Sequence, residues 1–500
     1  VYPVKRQWRS VLGGAVLLAA GVLVPGSAAR GATIWIWPST QCNGTLQQCI
    51  DLASSGDEVL IEQNGFINEQ DTIEDKSLTV AAEAGFVPQV LGFEIRTTVA
   101  ETSALGILVK DVQAQRYVVI SLQGGSGSTV TIDHVTATAS GVDPGIFATA
   151  NVGSTITVEN STIAQTGNYP GIELDAQNGN QQDLVWNVVA NTISGELSTD
   201  PQAGIRLSVD NARSLRAGVY NNSIWDEGQG STPNNRGGIM LVARQTGRAE
   251  FDVVGNSIDR VHGDAVFGDN QEQAPGVFAV KAFDNVFSKT SESAVDLEAE
   301  AGSAGRYAID GGHNVEHLTS APDHLFGHSI GTPISEAPRF VDEPNGNLRL
   351  KADSPLIDQG VTCSRGGVAG PDAALRSRIH GADVDIGAFE FGAGPAGVVV
   401  AGTSGPDVES GGPNADILCG YGGNDELFGG MANDYLDGGA GNDTLHGQPG
   451  HDRLFGGAGD DHLCARDGQP GDRLDGGPGN DSYQADPGDH LVRVEHKGSC

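Results

Sequence analysis

The sequence predicts an all-β chain made of two solenoids in series, a long one with coils of about thirty residues and a short one built from nine-residue units. Three observations carry this. Units of the form Gly-Gly-x-Gly-x-Asp-x-apolar-x run without a gap from Gly402 to Cys464. Asparagines recur at long, similar steps through the middle of the chain. From about Leu60 to Thr319, short Val/Ile/Thr-rich runs alternate with Gly/Asn/Asp/Ser turns and show no helical period.

At the N-terminus, Lys5, Arg6 and Arg9 precede an apolar run from Val11 to Val24, followed by the small residues of PGSAARGA. This reads as a secretory signal peptide over residues 1–32, too short for a comfortable membrane span. No later run is apolar enough to span a bilayer. The expected location is secreted, extracellular or at the cell surface. Six cysteines in 500 residues are no disulfide scaffold, but they fit a few staples in an oxidising compartment. A net charge of −35 argues against a nucleic-acid partner.

The first solenoid is expected over residues 40–336. It opens on CNGTLQQCIDL, whose Leu46, Cys49, Ile50 and Leu52 give a short helix an apolar face. Such a helix covers the open end of a stack of strands. Cys42 and Cys49 can pair only if Cys42 lies before the helix and folds back.

Asn160, Asn191, Asn222, Asn256, Asn285 and Asn314 then follow at steps of 31, 31, 34, 29 and 29. Between them recur GIELD, GIRLS, GIMLV and AVDLE, which set Ile172, Ile205, Ile239 and Val295 in one column and Leu174, Leu207, Leu241 and Leu297 in another. Coils of about three strands stack like residues at the strand spacing of ~4.8 Å. A buried column of asparagines satisfies itself, because each amide donates to one neighbour and accepts from the other. The pattern resembles the right-handed parallel β-helix proteins.

Two further pieces, APRFVDEPNGNLRLKADSPLIDQG and GADVDIGAFEFG, lie within residues 337–392. They resemble the choice-of-anchor Q domain, which follows β-helices in secreted bacterial proteins. Phe340, Leu348, Leu350, Leu356, Ile357, Ile386 and Phe389 are expected to cover the last coil. Residues 393–401 read as a linker.

The nine-residue repeats occupy 402–484, with a tail over 485–500. Their glycines permit φ > 0, so a six-residue turn can aim carbonyls inward. The sixth position adds a carboxylate: Asp407, Asp416, Asp425, Asp434, Asp443, Asp452 and Asp461, with Asp472 and Asp481 after a phase break. A shell made only of oxygen suits calcium. The units resemble the RTX (hemolysin-type) calcium-binding repeats, which implies a parallel β-roll with calcium between its turns. With fifteen acidic residues against three arginines, residues 402–484 should repel themselves when calcium is absent. Glu409 in place of an apolar residue, Ala432 in place of a turn glycine, and the broken phase after Cys464 mark weaker calcium sites. Cys419 and Cys464, five units apart, fall on opposite sheets and should not bond. Cys363 with Cys419 and Cys464 with Cys500 are the expected pairs.

Candidate chemistry on the long solenoid is confined to outward residues: Glu173 and Asp175 on one coil, Arg206 on the next, and Asp269, Asp296 and Glu298 further along. Carboxylates beside an arginine can bind an acidic glycan or act as acid and base, but ordinary surface pairing gives the same pattern. The signatures of mannuronan C5-epimerases and polygalacturonase-like hydrolases are absent. The sequence therefore points to a calcium-binding β-helix protein that binds extracellular polysaccharide or acts in adhesion at a cell surface. A polysaccharide lyase, C5-epimerase or glycoside hydrolase is the alternative.

Overall fold

The computed structural model describes residues 32–498 except 140–143, 166–168, 177–181, 196–202, 227–236, 262, 272–276, 300–306, 318, 320–322, 324, 326–332, 346, 364–372, 374–383 and 391–396. The signal-peptide reading of residues 1–31 lies outside the described residues, as does Cys500. Among the described residues, no helix is long and apolar enough to cross a membrane.

The one α-helix among the described residues, Leu46–Leu52, starts on a reciprocal cap. The Thr45 hydroxyl accepts the Gln48 N–H, and the Gln48 side chain accepts the Thr45 N–H. Leu46, Cys49 and Ile50 are buried in the end of the coil core, whereas Leu52 is 59% exposed. The apolar face is therefore narrower than expected, because the helix ends at Leu52 and turns away. Cys42 does fold back and bonds Cys49, with Cα atoms 5.2 Å apart.

The coils form a parallel β-helix. Among the described residues, one sheet has eleven strands, from Ile34–Trp37 to Tyr307–Gly312. A sixteen-stranded sheet holds the other two strand columns of each coil, joined through the long strands Gly65–Glu74, Pro88–Thr97 and Gln113–Leu122. Burial alternates along strands such as Ser154–Glu159 and Val277–Phe283, as a half-buried sheet requires, but Ile172–Ala176 and residues 239–243 are buried on both faces. Ile146, Ile172, Ile205, Ile239, Val266 and Val295 lie side by side in register and are fully buried. Leu174, Leu207, Leu241 and Leu297 repeat this two residues on.

The asparagine column is real from Asn191 onward. Nδ2 of Asn191, Asn222, Asn256 and Asn285 each donates to Oδ1 of the next, at 3.0, 3.0, 3.0 and 2.9 Å. Each amide also donates to a strand carbonyl of the preceding coil, as Asn222 does to Val188 at 2.8 Å. Asn160 is not a member. Its φ is +53°, and its side chain donates to Asp133 at 2.8 Å. Ser161 holds the column position.

The segment after the coils pairs Phe340–Asp342 with Asn347–Leu350 in an antiparallel hairpin. Phe340, Leu348, Leu350, Leu356 and Ile386 pack on Val286 and Val315. Val286 precedes inward Phe287 and Val315 sits in register beside Val286, so this cluster lies on the outer flank of these coils, the last one included. Polar contacts fix it there. Asp284 accepts the Val361 N–H at 3.0 Å, Gly387 N–H donates to the Asp284 carbonyl, and Ala388 N–H donates to Ser257. Leu325 instead joins the end of the coil core.

The repeats form a roll of two six-stranded parallel sheets. Leu418, Leu436, Leu454 and Leu474 point inward from one; Leu427, Leu445, Leu463 and Tyr483 point inward from the other. The sheets reach beyond 402–484 at both ends, to Val399–Ala401 and to His490–Val492 and His496–Lys497. Cys419 and Cys464 stand on opposite sheets. Both lie outside the leucine core of the roll and are nevertheless buried, Cys419 in a cluster with Val384 and Cys363. Cys419 bonds Cys363, and Cys464 is also disulfide-bonded.

Candidate functional site

In the roll, each repeat aspartate uses one oxygen for the fold. Oδ1 of Asp425, Asp434, Asp443 and Asp461 accepts the backbone N–H of the aspartate eighteen residues earlier, at 2.8 to 2.9 Å. Asp452 Oδ1 accepts from Asp434, and Asp472 and Asp481 continue the two series across the phase break with steps of 20. The other oxygen, Oδ2, of Asp425, Asp434, Asp443, Asp452, Asp461, Asp472 and Asp481 is buried without a hydrogen-bond partner. Burial pushes these carboxyls up, to about 8 for Asp434, about 7 for Asp452 and Asp461, and about 6 for Asp472.

The first glycine of each unit leaves room beside that oxygen. A methyl carbon on Gly420 would lie 2.4 Å from Asp425 Oδ2 and 2.7 Å from the Gly438 carbonyl oxygen. Gly438 and Gly456 repeat both distances with Asp443 and Gly456, and with Asp461 and Gly476. The turns at Gly420, Gly429, Gly438, Gly456 and Gly476 thus present a free carboxylate oxygen and a carbonyl oxygen at one vertex. Among the described residues, no three His, Cys, Asp or Glu side chains gather as a metal cluster. A cation here would take backbone carbonyl oxygens beside the aspartate oxygens. Stacked, orphaned carboxylates with adjacent carbonyls fit a hard divalent ion such as calcium, which supplies the charge that burial removes from solvent.

The units differ in ways that repeat spacing does not show. Asp407 Oδ2 is taken by the Thr403 N–H at 2.7 Å and its hydroxyl at 2.9 Å, and Asp416 Oδ2 is taken by the Gly412 N–H. The unit from Gly429 keeps a free Asp434 oxygen even though Ala432 sits at φ +74°. Two carboxylates missed in the sequence extend the ladder. Asp489 accepts the Gly471 and Asp472 N–H groups at 2.9 and 3.2 Å, and Glu495 accepts the Asp481 N–H at 2.9 Å. The signal for Asp489 was PGDHL, which repeats the PGDRL around Asp472 and keeps Gly488 at φ +114°, whereas Glu495 has no turn glycine before it.

On the β-helix, Glu173 and Arg206 are direct neighbours across strands, with Nη1 donating to Oε1 at 2.7 Å. Burial raises the Glu173 carboxyl, and Arg206 opposes that rise. Asp175 lies on the same strand. Asp269 is three strands away, past Ser208 and Val242, or ~14 Å at the strand spacing. The structure therefore joins Glu173, Asp175 and Arg206 and leaves Asp269 apart. Glu173, Asp175 and Asp269 are all buried, and so are Met240, Val242 and Phe267, which pack with Ala203 on this face. Toward the N-terminal coils the same face opens to half-buried Phe147, Thr149, Val119 and Ser121.

Residues 401–436, 410–445 and 428–463 match the family model of the RTX calcium-binding nonapeptide repeat. These repeats are calcium-binding. No curated protein matches the chain. Among solved structures, the pectate lyase Pel9A is similar at 13% identity, over 73% of this chain and 97% of that one, with a TM-score of 0.32. The PL6-family alginate lyase AlyGC is similar at 10% identity, over 93% of this chain and 78% of that one, with a TM-score of 0.26. Likeness this loose transfers no residue role and no activity.

Proposed function

We propose that this is a secreted calcium-binding protein whose roll folds on calcium and whose β-helix binds extracellular polysaccharide along an outer strand face. The stack of buried, unpartnered Asp oxygens carries the reading. Such a stack needs a divalent ion, and modules of the extracellular space work at calcium levels of ~10⁻⁴–10⁻³ M. Three features support the location. Cys42–Cys49 and Cys363–Cys419 are bridged, Cys464 is also oxidised, and residues 1–32 have the makeup of a secretory leader. The two pieces within 337–392 act in this reading as a choice-of-anchor Q-like clamp on the coils.

Polysaccharide is favoured by the open part of the strand face. Phe147 and Val119 offer apolar surface to a sugar ring. Thr149, Ser121 and the Asn151–Gln123 amide pair (2.8 Å) surround it with hydrogen-bonding groups. Affinity electrophoresis of the full chain through acidic and neutral polysaccharides, with and without calcium, tests this. Retardation that weakens in Phe147→Ala is the expected result; unchanged mobility in every gel would remove the glycan from the reading and leave a protein or cell surface as the partner.

One observation favours a second reading, an enzyme acting on an acidic glycan. Glu173 is a buried carboxyl held beside an arginine, an arrangement suited to proton transfer. Unsaturated-product and reducing-end assays across uronate polymers, with Glu173→Gln as the comparison, decide it.

A further inference from the structure

The first repeat, Gly402–Ser410, departs from the others in the residue that faces the roll interior. Glu409 stands where later units carry Leu427, Leu445 and Leu463, on the first strand of its sheet. A glutamate at the end of a solenoid ordinarily turns its carboxylate out to solvent. This one does not: Glu409 is 7% exposed, and its Oε2 is buried with no hydrogen-bond partner.

Its other oxygen reaches the vertex that corresponds to those at Gly420 and Gly438. A methyl carbon on Gly402 would lie 2.8 Å from the Gly420 carbonyl oxygen, 2.9 Å from Glu409 Oε1 and 3.0 Å from Asp407 Oδ2. Oxygens of three residues therefore converge beside Gly402, where the equivalent points at Gly420 and Gly438 meet oxygens of two. The first unit, like the second, lacks the free carboxylate oxygen of the units from Asp425 onward, because Thr403 already occupies Asp407 Oδ2 through two hydrogen bonds. Glu409 restores the missing free carboxylate oxygen.

We propose that Glu409 is a calcium ligand, and that the first turn of the roll is a terminal calcium site completed by this strand glutamate. The proposal rests on calcium loading of the roll described above. It reverses the sign of the substitution: a residue that breaks the repeat and removes core leucine contacts is retained because it closes a site at the end of the stack. The alternative is a buried, neutral acid with no ligand role.

Replacement by leucine separates the two. The test uses the full chain, stripped with chelator, and titrates calcium by calorimetry alongside thermal unfolding. For a ligand, Glu409→Leu stabilises the calcium-free roll, because it returns the core residue, yet it shrinks the calcium-induced rise in Tm. Glu409→Gln, which keeps the shape, loses a single ion from the stoichiometry or weakens one site by roughly tenfold or more. Glu426→Gln removes an exposed charge on the neighbouring strand and leaves both readouts unchanged. Equal gains in Tm with and without calcium for Glu409→Leu, with unaltered stoichiometry in Glu409→Gln, would overturn the proposal while leaving the rest of the roll loaded. A wild-type chain that takes up no calcium would overturn the loading of the roll itself, and this proposal with it.

Discussion

Asn191 Oδ1 accepts the Ser161 backbone N–H at 2.9 Å, so the internal ladder of the β-helix starts from a serine. Ser161 Oγ accepts in turn from Val135 N–H at 3.1 Å, which carries the same bonding one coil further with a shorter side chain. From Asn191 to Asn314 the amides bond one another through the interior of the turn.

Truncation inside this ladder should be costly. Asn222 accepts from Asn191 N and Nδ2 and donates to Val188 O and Asn256 Oδ1. Asn222→Ala strands several fully buried groups, at about 1–3 kcal/mol each before relaxation. Asn160→Ala loses one half-buried bond, and Ala190 already occupies the equivalent left-handed position one coil on. Denaturant unfolding should show a loss several-fold larger for Asn222→Ala than for Asn160→Ala. Equal small losses would mean that the ladder contributes nothing to stability.

The asparagine period was legible, but its phase was not. Each turn has two adjacent positions that favour asparagine for different reasons. One is the left-handed residue, filled by Asn160, Ala190 and Asn221. The next is the ladder residue. A spacing near thirty cannot separate neighbours. The repeat aspartates were legible because glycines frame them, whereas Asp489 keeps only Gly488 of that frame and Glu495 keeps none. The fate of Glu173 was not legible either, since alternation gives the outward direction of a side chain and says nothing of what lies over it. Glu409 was read as a defect because the template records what is missing and not where a longer side chain can reach.

The calcium-free roll should be more stable in mild acid than at neutral pH. The folded pKa values of Asp434, Asp452, Asp461 and Asp472 all lie above the ordinary aspartate value. The folded state therefore holds protons more tightly than the unfolded chain. That contribution is fully present below the unfolded value of about 4 and is lost as pH rises through about 6 to 8. Calcium reverses the order, because protons compete with it for the same oxygens. Thermal melts of the full chain at pH 5 and pH 8 check this. The roll transition should be higher at pH 5 in chelator and higher at pH 8 in calcium; the same order in both buffers would contradict it.

The turn glycines are not equivalent. At Gly441, φ is +140°, and a methyl carbon would lie 1.3 Å from the Gly423 carbonyl oxygen of the adjacent coil. At Gly412 the nearest atom is Asp416 Oδ2 at 3.8 Å. Gly441→Ala should abolish the calcium-dependent gain of β-structure in the coils around it, while Gly412→Ala retains it. Circular dichroism during calcium titration reads both, and a wild-type response from Gly441→Ala would show that these turns do not stack as closely as described.

The disulfides test the register of the roll. Successive units alternate between sheets, so the odd separation of Cys419 from Cys464 puts them on opposite faces. Non-reducing peptide mapping should return Cys42 with Cys49 and Cys363 with Cys419, and no peptide joining Cys419 to Cys464. The second bridge also has an energetic consequence. It spans 56 residues and encloses the first two repeat units. Closing a loop of that length limits the unfolded chain by about 4 kcal/mol in the chain-entropy account. Folding of the roll is linked to calcium, so a lost constraint must be offset by more bound ion. The double variant Cys363→Ser, Cys419→Ser should therefore need a higher calcium concentration to reach half-folding. An unchanged midpoint would mean that the repeats enclosed by this bridge are already ordered before calcium binds.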